Sequence, residues 1–305
     1  MSRIVNLMKK IKEKIAIVYN YFVCYPIITK KFDFCVMSDK ETVDNIINNK
    51  LSISRFGDGE YKIIRGEGIG FQKFNDELSK RLKEVLNSND VGHMNCIPLS
   101  FLETKGLVWR AAAYCRSFTV SHYSEYKKIT PPKRTYGSAG FTRFYADFKN
   151  KRSRIMEGKI NRIRSIWENK DIYLIEGEFT RCGVGNDILD NAKSVHRIIC
   201  PATDAYNVYD AILQSVKENV STENTIILCL LGPTATVMAY DLFKNGYWAL
   251  DMGHIDIEYE WFKRGVAWKV PIEGKAVNER GGNQCLEPIT SDEYENQIIK
   301  KIGIE

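Results

Sequence analysis

Histidine is scarce in this chain, with four in 305 residues. The eight cysteines, at 24, 35, 96, 115, 182, 200, 229 and 285, form no CxxC pair and follow no regular spacing. With no Cys/His cluster, a structural zinc site is disfavoured. Cys96, Cys200 and Cys229 lie in or beside apolar runs that read as strands, so they are expected to be buried, reduced thiols of a cytosolic protein. No GxSxG, HExxH or Walker A run occurs, which disfavours hydrolases, zinc proteases and nucleotide kinases of those types. No internal repeat and no nucleic-acid-binding module appears, so no nucleic acid partner is expected. The chain also lacks a long apolar run. Residues 15–28 are too few to span a bilayer, and Asn20 and Pro26 interrupt them. They carry no convincing small-residue cleavage site either, which argues against a secretory leader.

What is present fits an ordinary globular protein: 44% apolar and 27% charged residues, with a formal net charge of +6. A chain of this length buries roughly three quarters of its unfolded surface. The mild positive excess favours anionic substrates such as nucleotides or phosphates. Lys9, Lys10, Lys12 and Lys14 precede the apolar, aromatic segment 15–28. Two readings stand there: a helix packed on the core, or a peripheral contact of residues 1–30 with an anionic membrane surface.

The organisation is legible in the periodicity. Residues 41–50 read as a short polar helix and 51–56 as the first core strand. Phe74, Leu78, Leu82, Val85 and Leu86 make one helical stripe within 73–86. A strand over 90–97, a helix over 102–115 and a strand over 117–120 are expected next. The basic stretch 141–167 spaces Ile155, Ile160, Ile163 and Trp167 as a buried helical face, so most of its charge is a solvated surface. Strands are expected over 171–176, 195–200, 225–231 and 248–251, and helices over 206–218 and 235–244. A terminal helix is expected over 292–301. Strands alternating with helices, several of them apolar on both faces, predict an α/β fold with a mostly parallel sheet covered by helices. The boundaries expected are a helical extension over 1–40, one α/β unit over 41–271 and a tail with a helix over 272–305.

Four polar loops follow predicted strands, where open α/β sheets bind ligands. The first contains Arg55, Gly57, Asp58, Gly59 and Glu60. Two carboxylates two residues apart on a loop suit a hard divalent cation that also holds phosphate, as a metal lifts their mutual repulsion. Arg55 offers a bidentate partner for a carboxylate or phosphate. The alternative is a tight turn with its acids in water. The second loop spans 176–187. Gly183 and Gly185 permit exposed amides, Thr180 and Arg181 add a hydroxyl and a cation, and Asn186 either contacts ligand or caps a helix. In the third, Thr234 stands near a helix N-terminus, as ligand contact or cap. The fourth, 251–261, is densest: His254, Asp256, Glu258 and Glu260 share one face if extended, while His254 and Glu258 are neighbours if helical. Such carboxylates suit acceptor deprotonation or a developing cationic sugar, and His254 suits a base, a phosphate donor or a metal ligand.

Together these motifs resemble the GT-D glycosyltransferase family, formerly a bacterial domain of unknown function, over roughly residues 40–271. The run 54–60 resembles its early Asp-x-Glu motif, and 176–187, 200–201, 231–235 and 253–261 resemble further signatures. The resemblance implies a Rossmann-like GT-D fold and a hexosyltransferase using a UDP-sugar, glucose in the best-known branch. It implies Mn²⁺ or Mg²⁺ at Asp58 and Glu60, with donor contacts from Arg55, Gly57, Thr180, Arg181, Gly183, Gly185, Asn186 and Thr234. Asp256, Glu258 and His254 are the candidate catalytic groups. The acceptor implied is a glycan on a protein or lipid carrier, in glycoprotein or surface polysaccharide synthesis. The expected location is the cytoplasm, at the inner face of the membrane if residues 1–30 touch it, with a homo-oligomer among the open states. Two other classes remain: a non-catalytic nucleotide-sugar or phosphate-binding protein, and a metal-dependent phosphoryl transferase.

Overall fold

The apolar run of 225–230 alternates between two cores: Ile226, Leu228 and Leu230 enter one, Ile227 and Cys229 the other. A strand buried on both faces needs a helix layer on each, and this is the arrangement found in the computed structural model, which describes residues 2–277 and 291–304. The strands are β1 (Cys35–Val36), β2 (Ser52–Arg55), β3 (His93–Ile97), β4 (Thr135–Ser138), β5 (Asp171–Gly177), β6 (Ser194–Cys200), β7 (Thr225–Leu230), β8 (Ala249–Asp251) and β9 (Ile298–Lys301). Among the described residues they form one sheet, ordered β1-β4-β3-β2-β8-β7-β5-β6-β9. Each named pairing is parallel.

The helices are α1 (Ser2–Tyr19), α2 (Tyr25–Ile28), α3 (Asp39–Asn49), α4 (Asp58–Ile64), α5 (Asp76–Asn87), α6 (Trp109–Ser121), α7 (Tyr123–Ile129), α8 (Ser153–Arg164), α9 (Tyr209–Asn219), α10 (Pro233–Lys244), α11 (Ile255–Lys263) and α12 (Asp292–Gln297). Apolar faces of α4, α5, α9 and α10 meet one side of the sheet, through residues such as Ile63, Leu82, Ile212 and Val237. Those of α3, α8 and α11 meet the other, through Ile46, Ile160 and Trp261. The expected parallel α/β sheet covered by helices is what forms. Small side chains let α10 approach β2 closely: the Ser54 hydroxyl donates to the Thr236 carbonyl at 2.6 Å, beside Ala235 and Ala239. Cys96, Cys200 and Cys229 are buried free thiols, as expected.

Several local expectations fail for identifiable reasons. Residues 117–120 are not a strand but the end of α6, which starts at Trp109 rather than at 102. The run Ala111-Ala112-Ala113 favours helix, and the left-handed turn at Gly106 keeps the preceding residues out of it. The tail helix stops at Gln297, and Ile298–Lys301 pairs with β6 instead. Its two isoleucines suit a strand, and Ile302 N–H donates to the Ile199 carbonyl at 2.8 Å. Two strands went unforeseen, β1 and β4, the second hidden by its polar sequence Thr-Tyr-Gly-Ser. Phe32 and Phe34 sit in the core beside β1.

Candidate functional site

The carboxyl ends of the strands open into a cleft of about 1770 Å³. Groups following β2, β3, β5, β6, β7 and β8 line it: Gly57, Pro98, Phe179, Pro201, Gly232 and Gly253. Position alone makes it the ligand site of such a sheet.

Its centre is the end of β2. Asp58 and Glu60 do not lie on an open loop; they are in the first turn of α4. Gly57 precedes the helix, and the Glu60 carboxylate folds back to accept from the Gly57 amide at 2.6 Å. On a helix, residues two apart point away from one another, so the two carboxylates diverge. Asp58 is half exposed in the cleft and pairs with Lys62 one turn on, at 3.2 Å. Glu60 turns inward. Burial, then the negative charge of Asp251, push its carboxyl up to about 7 from an ordinary 4.5.

Asp251 ends β8, the strand hydrogen-bonded to β2. It is buried and accepts from the Arg55 amide at 3.2 Å and the Thr236 hydroxyl at 3.1 Å. Arg55 pairs with it at 3.2 Å and also donates to the Asp251 and Ala139 carbonyls and the Thr142 hydroxyl. Burial raises the Asp251 carboxyl, and the Arg55 guanidinium partly offsets this. Arg55 lines the cleft, but its donors serve the protein. Gly253 (φ +47°) allows this, because a Cβ there would fall inside the guanidinium.

The second loop divides. Thr180 and Phe179 line the cleft, whereas Arg181, Gly183, Gly185 and Asn186 are not among its lining residues. Arg181 is buried and donates to the Gly274 carbonyl at 2.7 Å. The Gly183 amide donates to Asp256 at 2.8 Å, and Asn186 donates to Asp256 and Glu260 at 2.9 and 2.7 Å. Gly185 (φ +76°) supplies a left-handed turn within this loop. Thr234 is also away from the cleft, buried with its hydroxyl 3.4 Å from the Gln72 side-chain oxygen.

The fourth loop is helical from Ile255, which settles the choice between strand and helix. His254 and Asp256 line the cleft, and the Arg143 guanidinium stands 3.3 Å from His254 Nδ1. Glu258 is fully buried and accepts from the Tyr145 and Ala146 amides at 2.9 and 2.8 Å. It is therefore absent from the cleft wall, and burial raises its carboxyl. Asp256 is committed to Lys275 at 2.7 Å besides Gly183 and Asn186, and Lys275 also reaches Glu260 at 3.1 Å. Burial alone would lower the Lys275 ammonium; the two carboxylates outweigh it and raise it. Two polar residues of this centre, Thr142 and Lys275, escaped the sequence reading, while Asp251 in the fourth loop and Arg143 in the basic stretch were seen without a specific role. Neither Thr142 nor Lys275 carries a local signal in the sequence.

Among the described residues, no group of three or more His, Cys, Asp or Glu is arranged to hold a metal ion by itself. The donor set still fits a hard cation of the magnesium type, which takes one or two carboxylates and completes its shell with water and substrate phosphate. Asp58 offers its carboxylate to the cleft, and the crowding of Glu60 with Asp251 is the excess of negative charge that such a cation relieves. This crowding has a measurable cost. A carboxyl raised from 4.5 to about 7 favours folding below 4.5 and loses that contribution as pH rises through 7, a swing of up to about 3 kcal/mol. In metal-free buffer Glu60→Gln should therefore be more stable than wild type at pH 8, and the two should converge below pH 4.5. Denaturant melts across that range check this.

A parallel α/β sheet with a large cleft of mixed charge at its carboxyl edge is the arrangement in which open α/β proteins bind their ligands. The comparisons narrow it: residues 53–280 match the family described as Glycosyltransferase GT-D fold. The chain belongs to this glycosyltransferase-fold family. It is similar to "Probable glycosyl transferase Gly" of Streptococcus gordonii, 37% identical over 88% of this chain and 39% of that protein. It is also similar to "Glycosyltransferase GlyD" of Streptococcus pneumoniae serotype 4, 35% identical over 86% of this chain and 32% of that one. The chain thus spans well under half the length of these curated relatives. A solved structure described as the highly conserved domain of unknown function 1792 with a distinct glycosyltransferase fold superposes with a TM-score of 0.86, at 33% identity over 93% of this chain and all of its own. A new glycosyltransferase (DUF1792) from Streptococcus sanguinis superposes at 0.82, with 37% identity over 88% of this chain and 99% of its own.

Proposed function

We propose that this protein is a metal-dependent hexosyltransferase, moving a hexose, glucose by its family resemblance, from a UDP-sugar to a glycan acceptor on a protein or lipid carrier. The observation carrying this reading is the acidic first turn of α4, open to a large cleft at the carboxyl edge of the sheet. Asp58 would hold Mn²⁺ or Mg²⁺ directly, and Glu60, which diverges from it but lines the same cleft, would reach the ion through water. When bound, the cation supplies charge neutralisation for a diphosphate leaving group. Arg55 and Asp251 act by holding the ends of β2 and β8 in register beneath it. Thr180 and Gly232 offer a hydroxyl and a close backbone approach on the cleft wall.

His254 and Asp256 remain the candidates nearest the reacting sugar, and Arg143 orients His254. Glu258 is a positioning residue: its carboxylate fixes the 145–146 backbone just beyond Arg143. We assign Arg181, Gly183, Gly185, Asn186 and Thr234 to supporting the fold behind the cleft rather than touching donor. The activity belongs with bacterial glycoprotein or surface polysaccharide synthesis in the cytoplasm. A screen of UDP-, GDP- and CMP-sugars for metal-dependent donor hydrolysis tests this. UDP-glucose turnover lost with EDTA is expected, whereas saturable binding without turnover for every donor would favour a non-catalytic binding protein.

A further inference from the structure

The N-terminal helix leaves an apolar face uncovered. At about 100° per residue, Leu7, Met8, Ile11, Ile15, Val18, Tyr19 and Phe22 fall within roughly a third of the circumference. All are exposed; Ile15 and Phe22 each expose 63% of their surface. Soluble surfaces rarely leave such a continuous stripe open. Lys9, Lys10, Lys12 and Lys14 are also exposed and lie along its borders and on the opposite face. Glu13 is the single acid between residues 5 and 28.

The root of this element is firmly seated. The helix runs through a π-helical turn, Asn20–Cys24, into α2. There Tyr21 packs on Trp109 of α6 with ring centroids 4.3 Å apart, and Arg116 covers the Tyr21 ring at 3.9 Å. The buried Tyr25 hydroxyl donates to the Ser100 carbonyl at 2.7 Å. Trp109 and Ser100 also line the cleft, so the helix is anchored beside its mouth.

We propose that α1 lies flat on an anionic phospholipid surface, holding the cleft next to the bilayer. An amphipathic helix with aliphatic and aromatic groups on one face and lysines around it buries the first in the acyl boundary and pairs the second with anionic headgroups. Among the described residues no helix is long and apolar enough to cross a membrane, so the contact is peripheral. A second copy of the chain is the weaker occupant: pairing two such faces brings eight lysines together against two glutamates.

The test is sedimentation of the full chain with vesicles of phosphatidylcholine alone or mixed with about one third phosphatidylglycerol. Binding to the mixed vesicles is expected, falling as salt rises and at least about tenfold weaker on phosphatidylcholine. Ile11→Glu with Ile15→Glu should abolish binding while melting temperature and donor hydrolysis stay unchanged, as both side chains are exposed and remote from the cleft lining. The proposal is overturned if wild type stays in the supernatant with mixed vesicles or if the double variant binds as well as wild type. It is equally overturned if the stripe proves to be a concentration-dependent dimer contact that vesicles do not displace.

Discussion

Asp58→Ala is expected to lower metal-dependent sugar transfer by about a thousandfold, the loss of several kcal/mol of leaving-group stabilisation. The fold should barely register the change. Asp58 has half its side chain in solvent, and its partner Lys62, one turn along α4, is a third exposed. Such a pair, together with an acid in the first helical turn, contributes about 1 kcal/mol at most. The two readouts therefore separate: turnover collapses and the melting curve stays. Titrating Mn²⁺ against the variant should recover little activity, because the lost group is a ligand and not a shape. Full retained activity would remove Asp58 from the metal site and leave the family resemblance without its first functional residue.

Lys275→Met is expected to act in the opposite way, through stability. Removing this buried ammonium leaves Asp256 and Glu260 facing each other out of water, at a cost of about 3–5 kcal/mol. The sign of its pH dependence follows from Glu260. Burial opposes its charge, but Asn186 and Lys275 hold its carboxyl below the usual range, so its contribution is present above its unfolded value and lost on acidification. The deficit of Lys275→Met should thus be greatest near neutrality and shrink toward pH 4, as urea melts would record. Adding Asp256→Asn should restore part of the stability. If that double variant also regains transfer, Asp256 builds the site rather than reacting in it.

These two residues mark what a one-dimensional reading reaches. The run 225–230 and the stripe of α5 declare themselves, because burial on two faces and burial on one leave different periods in the sequence. The polar loops after β2, β5, β7 and β8 were recognisable as one ligand edge by their position alone. Their internal geometry was not. Whether Asp58-Gly-Glu60 is a loop or a helical turn depends on a 2.6 Å contact from the Gly57 amide, which no spacing encodes. The charge of 254–260 was plain, but its partners are distant: Tyr145 and Ala146 for Glu258, Lys275 for Asp256. Three of the five second-loop residues expected to touch donor, Arg181, Gly183 and Asn186, were instead turned toward Gly274, Asp256 and Glu260 by such pairings. The tail strand escaped for a related reason, since its pairing partner β6 lies about a hundred residues earlier.

On the proposed function, the cleft takes a nucleotide-sugar diphosphate through a cation held by the first turn of α4. Calorimetric titration of UDP-glucose into the metal-free protein, with and without Mn²⁺, tests it most directly. Saturable binding is expected only with the ion, and is lost again in Asp58→Ala. Equal affinity with and without Mn²⁺ in the wild type would contradict it.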